Sequence, residues 1–276
     1  PHRAGRLASL LPQGPAVYSG PCRSFDPLYA MTATIPILMY HQIDQTPPAG
    51  TPMRGLVVHP ARFRAHMKWM HRLGYRGLSM RDLMPYLRGE RQGKVFGVTF
   101  DDGYRNVLAN AMPVLDELGF TATTYFVSGQ IGGSNVWDEP IGIPRAELMD
   151  ADEIRQWHAA GHEVGAHTVD HVQLPRMQPA EAFRQIAQCR RMLQDITGAE
   201  VSAFCYPYGK QQPEHRRMVQ EAGYANATST IRGRARPGDD MFCLPRVLVS
   251  RRTHVLQLLS KCLTGYEDRR GRDRRK

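Results

Sequence analysis

Two adjacent carboxylates, Asp101 and Asp102, close the short apolar run Val95-Phe96-Gly97-Val98-Thr99-Phe100, and Gly103 follows at once. Further along comes His167-Thr168-Val169-Asp170-His171. Two imidazoles and one carboxylate make an open ligand set for a divalent ion, with positions left for water and substrate. Water on such an ion loses a proton near pH ~7 instead of ~16, and a spare carboxylate beside it can take that proton. The reading is therefore a metal-assisted hydrolase, with Asp102, His167 and His171 as ligands and Asp101 as base. Asp170, inside the histidine pair, is an alternative ligand or a support for one. Neighbouring strand residues point to opposite faces, so both carboxylates reach one site only if the chain turns there, and Gly103 permits that turn. Asp-Asp-Gly alone is most often a plain turn, and His-x-x-x-His alone two surface histidines; the conjunction at two strand ends carries the reading.

The elements that must position these groups alternate along the chain. Strands are expected at 35–40, 95–100, 121–127, 162–166, 204–206, 224–228 and 244–249. Helices are expected between them. Phe63, Met67, Met70 and Leu73 recur at helical spacing before Gly74, Ser79 caps a helix through Leu87, and Leu108, Leu115 and Leu118 mark another ended by Gly119. Asp150 with Glu153 reads as a capping box for a helix through Ala160. Further helices fit 179–197, 214–222 and 253–263. Repeated βα units imply a parallel sheet with helices outside. About seven of them suit an α/β fold closed as a distorted (β/α) barrel. Active sites of such barrels sit at the C-terminal ends of the strands. Asp101 and Asp102, the two histidines, and Tyr206-Pro207-Tyr208 all fall on that rim.

Composition sets the frame. The 276 residues are 42% hydrophobic and 22% charged, enough for a buried core and unlike a disordered chain. Net charge is +10; residues 1–34 carry +2 and 266–276 carry +3, leaving half in the body. A solvated basic face is preferred to an acidic partner or a membrane surface. The five cysteines (Cys22, Cys189, Cys205, Cys243, Cys262) include no C-x-x-C pair, which excludes a disulfide framework or zinc ribbon. With no span-length apolar run and no convincing leader, cytoplasmic residence is expected. Residues 1–34 read as an irregular N-terminal segment, 35–265 as the catalytic domain, and 266–276 as a basic disordered tail without the interleaved aromatics of a nucleic-acid binder.

These residues also carry a resemblance. Thr99-Phe100-Asp101-Asp102-Gly103 resembles the first motif of the polysaccharide deacetylases with a NodB-homology domain, carbohydrate esterase family four. The run from Gly161 to His171 is similar to their second motif and its lead-in, and Thr123-Thr124-Tyr125-Phe126-Val127 to their third barrel strand. Ile35-Pro36-Ile37-Leu38-Met39-Tyr40-His41 resembles the opening strand of the branch near the poly-N-acetylglucosamine deacetylases. The likeness spans residues 35–250. It implies a distorted (β/α) barrel, one divalent ion (zinc the first choice), and removal of N-acetyl groups from a glycan, with an O-acetyl esterase or a weak glycan-binding domain as alternatives. It assigns the base and ligands to the residues named above.

The third motif, R-x-P-Y in the family, places Pro207 and Tyr208 at the substrate, the tyrosine backbone N–H helping to hold the oxyanion. Its arginine is replaced here by Cys205, and Arg246 from the last strand is the candidate to supply the guanidinium. No fourth motif is visible. For the general acid, His254 and His41 are the candidates. Trp137, Asp138 and Glu139 lie in a Gly-rich loop that can wall the rim; packing is the preferred role for the tryptophan.

Overall fold

The computed structural model describes residues 34–273, and side chains through residue 271. The expected irregular segment 1–34 lies outside the described residues, except for Thr34. Ten strands are described: β1 (Ile37–Tyr40), β2 (Gln42–Ile43), β3 (Val57–Val58), β4 (Arg76–Leu78), β5 (Val95–Phe100), β6 (Thr123–Phe126), β7 (Glu163–Ala166), β8 (Ala203–Cys205), β9 (Asn226–Arg232) and β10 (Leu244–Leu248). Seven of them, β1 and β5 to β10, pair in parallel and close, because β1 bonds β10 on one edge and β5 on the other. β4 shares that β5 edge: it pairs with Val95–Gly97, and β1 with Gly97–Phe100. β2 and β3 form a small parallel pair outside the barrel.

Strand alternation sorts the side chains into two cores. Even positions of β5 (Phe96, Val98, Phe100) join the layer packed under the helices, as do Leu38, Phe126, Val164, Phe204 and Val247. The lumen row holds Ile37, Tyr125, Ala203, Cys205 and Leu244, plugged below by Met80, Leu83 and Leu87 of helix Met80–Leu87. A Cβ added to Gly97 would stand 3.1 Å from Ile37 and Leu83, so this lumen position has room for little more than a hydrogen. Asp101 continues that row above Thr99.

Helix signals hold where a cap writes them. Ser79 accepts from the Asp82 N–H, and both halves of the Asp150–Glu153 box are formed at helix Ala151–Ala159. The single helix expected through Leu108–Leu118 is instead two, Arg105–Asn110 and Met112–Glu117, since Pro113 lacks the N–H that would continue the ladder.

The charged end also differs from expectation. Tyr266–Asp273 is helical, and residues 274–276 lie outside the described residues. Glu267 is fully buried; Arg232 donates to both its oxygens at 2.7 and 2.9 Å, and Lys261 stands at 3.2 Å. A buried carboxylate between two cations anchors a segment whose composition alone suggests solvation. Glu267→Ala should therefore cost about 3 kcal/mol, read as a lowered urea midpoint, because two cations lose their partner. Burial works against charge on Glu267, but Arg232 and Lys261 outweigh it and hold its pKa below the ordinary value. A carboxylate depressed on folding stabilises above its unfolded pKa, and that stability fades as pH falls through the folded one. No helix of the described residues is long and apolar enough to cross a membrane.

Candidate active site

A cleft of about 840 Å³ opens at the C-terminal ends of the strands, lined by His41, Asp101, Asp102, Trp137, His167, His171 and Tyr208 among others. Both aspartates are nearly buried, at 3% and 6% exposure. Asp101 reaches the cleft by ordinary alternation. Asp102 would face the helices, but its backbone enters the left-handed region (φ 77°) and reverses it. The turn thus falls on Asp102 itself, with Gly103 (φ 83°) completing it. A Cβ at Gly103 would lie 2.7 Å from Phe126, so glycine is required there on two counts.

Among the described residues, five that are not glycine have positive φ: Met53, Asp102, Thr168, His171 and Tyr208. Four line the cleft and Thr168 lies between the two histidines. Such conformations cost about 1–2 kcal/mol each, and their confinement to one place marks a site over-determined by its surroundings.

Asp102, His167 and His171 offer donor atoms all within 4.8 Å of one another. Asp102 Oδ1 lies 3.4 Å from His167 Nε2 and 3.3 Å from His171 Nε2. His167 Nδ1 is 2.7 Å from the Cys205 carbonyl, which only accepts, so Nδ1 carries the proton. The Asp102 oxygen facing Nε2 is an acceptor, so a positive charge must lie between them, either an ion on the Nε2 lone pair or a second proton. With no ion, burial opposes that proton, but Cys205, Asp102 and Asp101 outweigh it and raise the His167 pKa well above its ordinary value. Ligands about 2.1 Å from a tetrahedral ion stand about 3.4 Å apart. The spacing and the donor chemistry both fit a divalent cation. His171 Nδ1 is held 3.1 Å from the Tyr208 hydroxyl, and Trp137 stacks on its ring at 4.5 Å. Burial resists ionisation of Asp102, but the two imidazoles outweigh it and hold its pKa well below the usual range. For His171 burial prevails and lowers the pKa.

Beside the trio, Arg246 crosses the lumen from β10. Its Nη1 and Nη2 donate to the two oxygens of Asp101 at 2.6 and 2.8 Å. The same guanidinium donates to the Ser229 carbonyl at 2.9 Å and to Thr99 Oγ1 at 3.1 Å, and touches Cys205 Sγ at 3.2 Å. A short thiol at 205 leaves the space that Arg246 fills. Burial raises the Asp101 pKa, Arg246 lowers it by more, and the carboxyl ends below its ordinary value. His41 Nε2 lies 3.9 Å from Asp101 Oδ2.

Other expectations fall elsewhere. His254 caps helix Val255–Leu263, accepting from the Gln257 N–H, and does not line the cleft. Pro207 is buried behind the turn and does not line the cleft, whereas the positive φ of Tyr208 (58°) projects its ring outward. Asp170 is bonded to Gln185 at 2.6 Å, half-exposed, and outside the ligand trio.

Trp137, for which packing is the preferred role in the sequence, lines the cleft and stacks on His171. Two further contributors are not announced by the sequence. Gln185, buried on helix Pro179–Thr197, accepts from the N–H groups of Val169 and Asp170 at 3.0 Å each and pins the loop between the histidines. Tyr104, buried, hydrogen-bonds Asp102; burial first and then the Asp102 charge push its phenol well up.

A closed parallel barrel with an Asp–His–His trio and an adjoining carboxylate on its C-terminal rim defines a hydrolase of the (β/α)-barrel class. The chain belongs to the polysaccharide deacetylase family: the family profile matches residues 88–227, about half of it. It is 28% identical over 220 residues to the Bacillus subtilis protein YxkH, named for the same family, covering 79% of this chain and 72% of that one. It is 20% identical over 197 residues to poly-beta-1,6-N-acetyl-D-glucosamine N-deacetylase of Staphylococcus aureus, covering 70% and 68%. The crystal structure of BC0361, a polysaccharide deacetylase from Bacillus cereus, superposes with a TM-score of 0.69 at 28% identity, covering 83% of this chain and 69% of that one.

Proposed function

We propose that the protein is a metal-dependent deacetylase that removes N-acetyl groups from an N-acetylated glycan. One observation carries the metal dependence: Nε2 of both His167 and His171 and the Asp102 carboxylate converge within ligand spacing, 3.4 and 3.3 Å apart, in a nearly buried pocket that needs a positive charge among them. Zinc is the first choice for a carboxylate and two imidazoles. The N-acetylated sugar rests on the family and on the poly-N-acetylglucosamine deacetylase among the relatives.

When bound by Asp102, His167 and His171, such an ion would acidify water and polarise the acetyl carbonyl. Asp101 takes the proton from the attacking water. Arg246 keeps that carboxylate ionised and aims it, trading basicity for orientation. The Tyr208 turn brings its backbone to the rim, where the N–H can meet the developing oxyanion. His41, in the cleft wall with Nε2 3.9 Å from Asp101 Oδ2, hands a proton to the leaving nitrogen.

Arg246→Lys should lower kcat/KM about tenfold to a hundredfold, because an ammonium cannot reproduce the two-point fork. The weaker partner lowers the Asp101 pKa less, so the acidic limb of the pH–rate profile should move to higher pH. Unchanged turnover and an unmoved limb would remove the role of Arg246. The function itself is tested by acetate release from N-acetylglucosamine oligomers and from an O-acetylated glycan, each with and without added zinc. Release from the O-acetylated glycan alone would make the protein an esterase; release from neither would end the reading.

A further inference from the structure

The basic excess expected to be plain solvated surface is partly gathered at one edge of the cleft. Arg54, in the turn Arg54–Leu56, lines the cleft. Arg62 sits in the first turn of helix Pro60–Arg72. Arg251 and Arg252 follow β10, whose Leu248 also lines the cleft. The three segments are tied together: the Arg251 N–H donates to the Gly55 carbonyl at 2.7 Å, and the Arg62 guanidinium donates to the Arg251 carbonyl.

None of these four arginines is in an ion pair among the described residues. No Asp or Glu occurs in 45–59 or 249–254. Helices Pro60–Arg72 and Val255–Leu263 both begin beside the cluster, and neither has an acid in its first turn. Their N-terminal dipoles add to the positive field instead of offsetting it. The Nε atoms of Arg54 and Arg251 are buried with no hydrogen-bond partner. Burial first, and then Arg54, Arg252 and Arg62, lower the Arg251 pKa, as expected of crowded like charges. Such a cluster is self-repelling until an anion enters it.

We propose that Arg54, Arg62, Arg251 and Arg252 bind a phosphate group carried by the glycan that occupies the cleft. The glycan part rests on the deacetylase reading. Phosphate suits the cluster better than a carboxylate. A phosphomonoester carries up to about two negative charges on tetrahedrally disposed oxygens, so it offsets more of the arginine cluster, and takes donors from more directions, than a single planar carboxylate. The site lies on the cleft rim, apart from the metal trio, so it selects the substrate and takes no part in the hydrolysis.

The test uses two ligands and two proteins in the calorimeter. Inorganic phosphate is titrated into the wild-type chain and into Arg54→Gln/Arg251→Gln. An N-acetylglucosamine pentamer, neutral or bearing one phosphomonoester, is then titrated in an Asp101→Asn background, so that hydrolysis adds no heat. Phosphate should bind the wild type and not the double variant. The phosphorylated pentamer should bind about tenfold tighter than the neutral one at low salt, and the double substitution should erase that preference while leaving the neutral pentamer unaffected. Phosphate bound equally by both proteins, or by neither, overturns the site. Phosphate binding lost in the variant with no pentamer bound at all upholds the anion site and removes the glycan reading. Phosphatidylglycerol vesicles bound through these arginines, with no preference between pentamers, would overturn the proposal in favour of a membrane surface.

Discussion

Asp101→Asn should abolish nearly all acetate release, by about three orders of magnitude, while the metal stays bound. The size of the loss follows from the chemistry of a positioned base, whose removal costs about 10²–10⁴ in rate. The amide keeps the shape of the carboxylate but cannot take a proton from water. It also fails Arg246, which is fully enclosed in the lumen and donates to both Asp101 oxygens. An unpaired buried guanidinium costs about 3–5 kcal/mol. A lower melting temperature should therefore accompany the lost activity, and metal content measured on the same folded sample separates the two effects. Asp101 also stands near His167 and Cys205 as a second candidate ligand group, but its two oxygens are taken by Arg246, so a metal held by Asp102, His167 and His171 should remain stoichiometric. Turnover near wild type in a folded, metal-loaded Asn variant would mean that some other group deprotonates the water.

Much of this site is legible in the chain because its parts are local. The strand Val95–Phe100 ends where its apolar run ends, and the two carboxylates follow directly. The histidines follow β7 within a few residues, so each motif rides on one strand end. The capping box at Asp150 and the glycine after Thr197 are likewise written in neighbouring residues. What could not be read depends on contacts between distant segments. Gln185 is an unremarkable polar residue in a long helix until the fold lays it against the 167–171 loop. Trp137 looks like packing until its loop folds over His171. The vacated arginine position shows as Cys205, but only the closed barrel shows Arg246 arriving from β10 into that space. Composition misreads the tail for the same reason: its acids are paired in the body of the fold, Glu267 with Arg232 and Lys261, and Asp268 with Arg234 and Arg236.

His171→Ala should lose metal affinity by more than about a hundredfold and lose acetate release with it. In the proposed site His171 is one of three protein donors, and its Nε2 lies 3.3 Å from the Asp102 oxygen that a shared ion would neutralise. Removing it leaves two donors, with the alanine unable to fill the space between Trp137 and Tyr208. Tyr208→Phe makes a graded comparison. It keeps the ligand but deletes the hydroxyl 3.1 Å from Nδ1 that fixes the ring, and losses of such supporting partners run to about 10–100-fold in affinity or activity. Metal content after dialysis against a chelator should fall in the order wild type, Tyr208→Phe, His171→Ala. Chelated wild type should lose acetate release and recover it on adding zinc, and His171→Ala should not recover at the same zinc concentration. A chelated wild-type enzyme that still releases acetate, with no ion left by elemental analysis, would mean that a proton on His167 supplies the missing positive charge and that the trio is a hydrogen-bonded cluster.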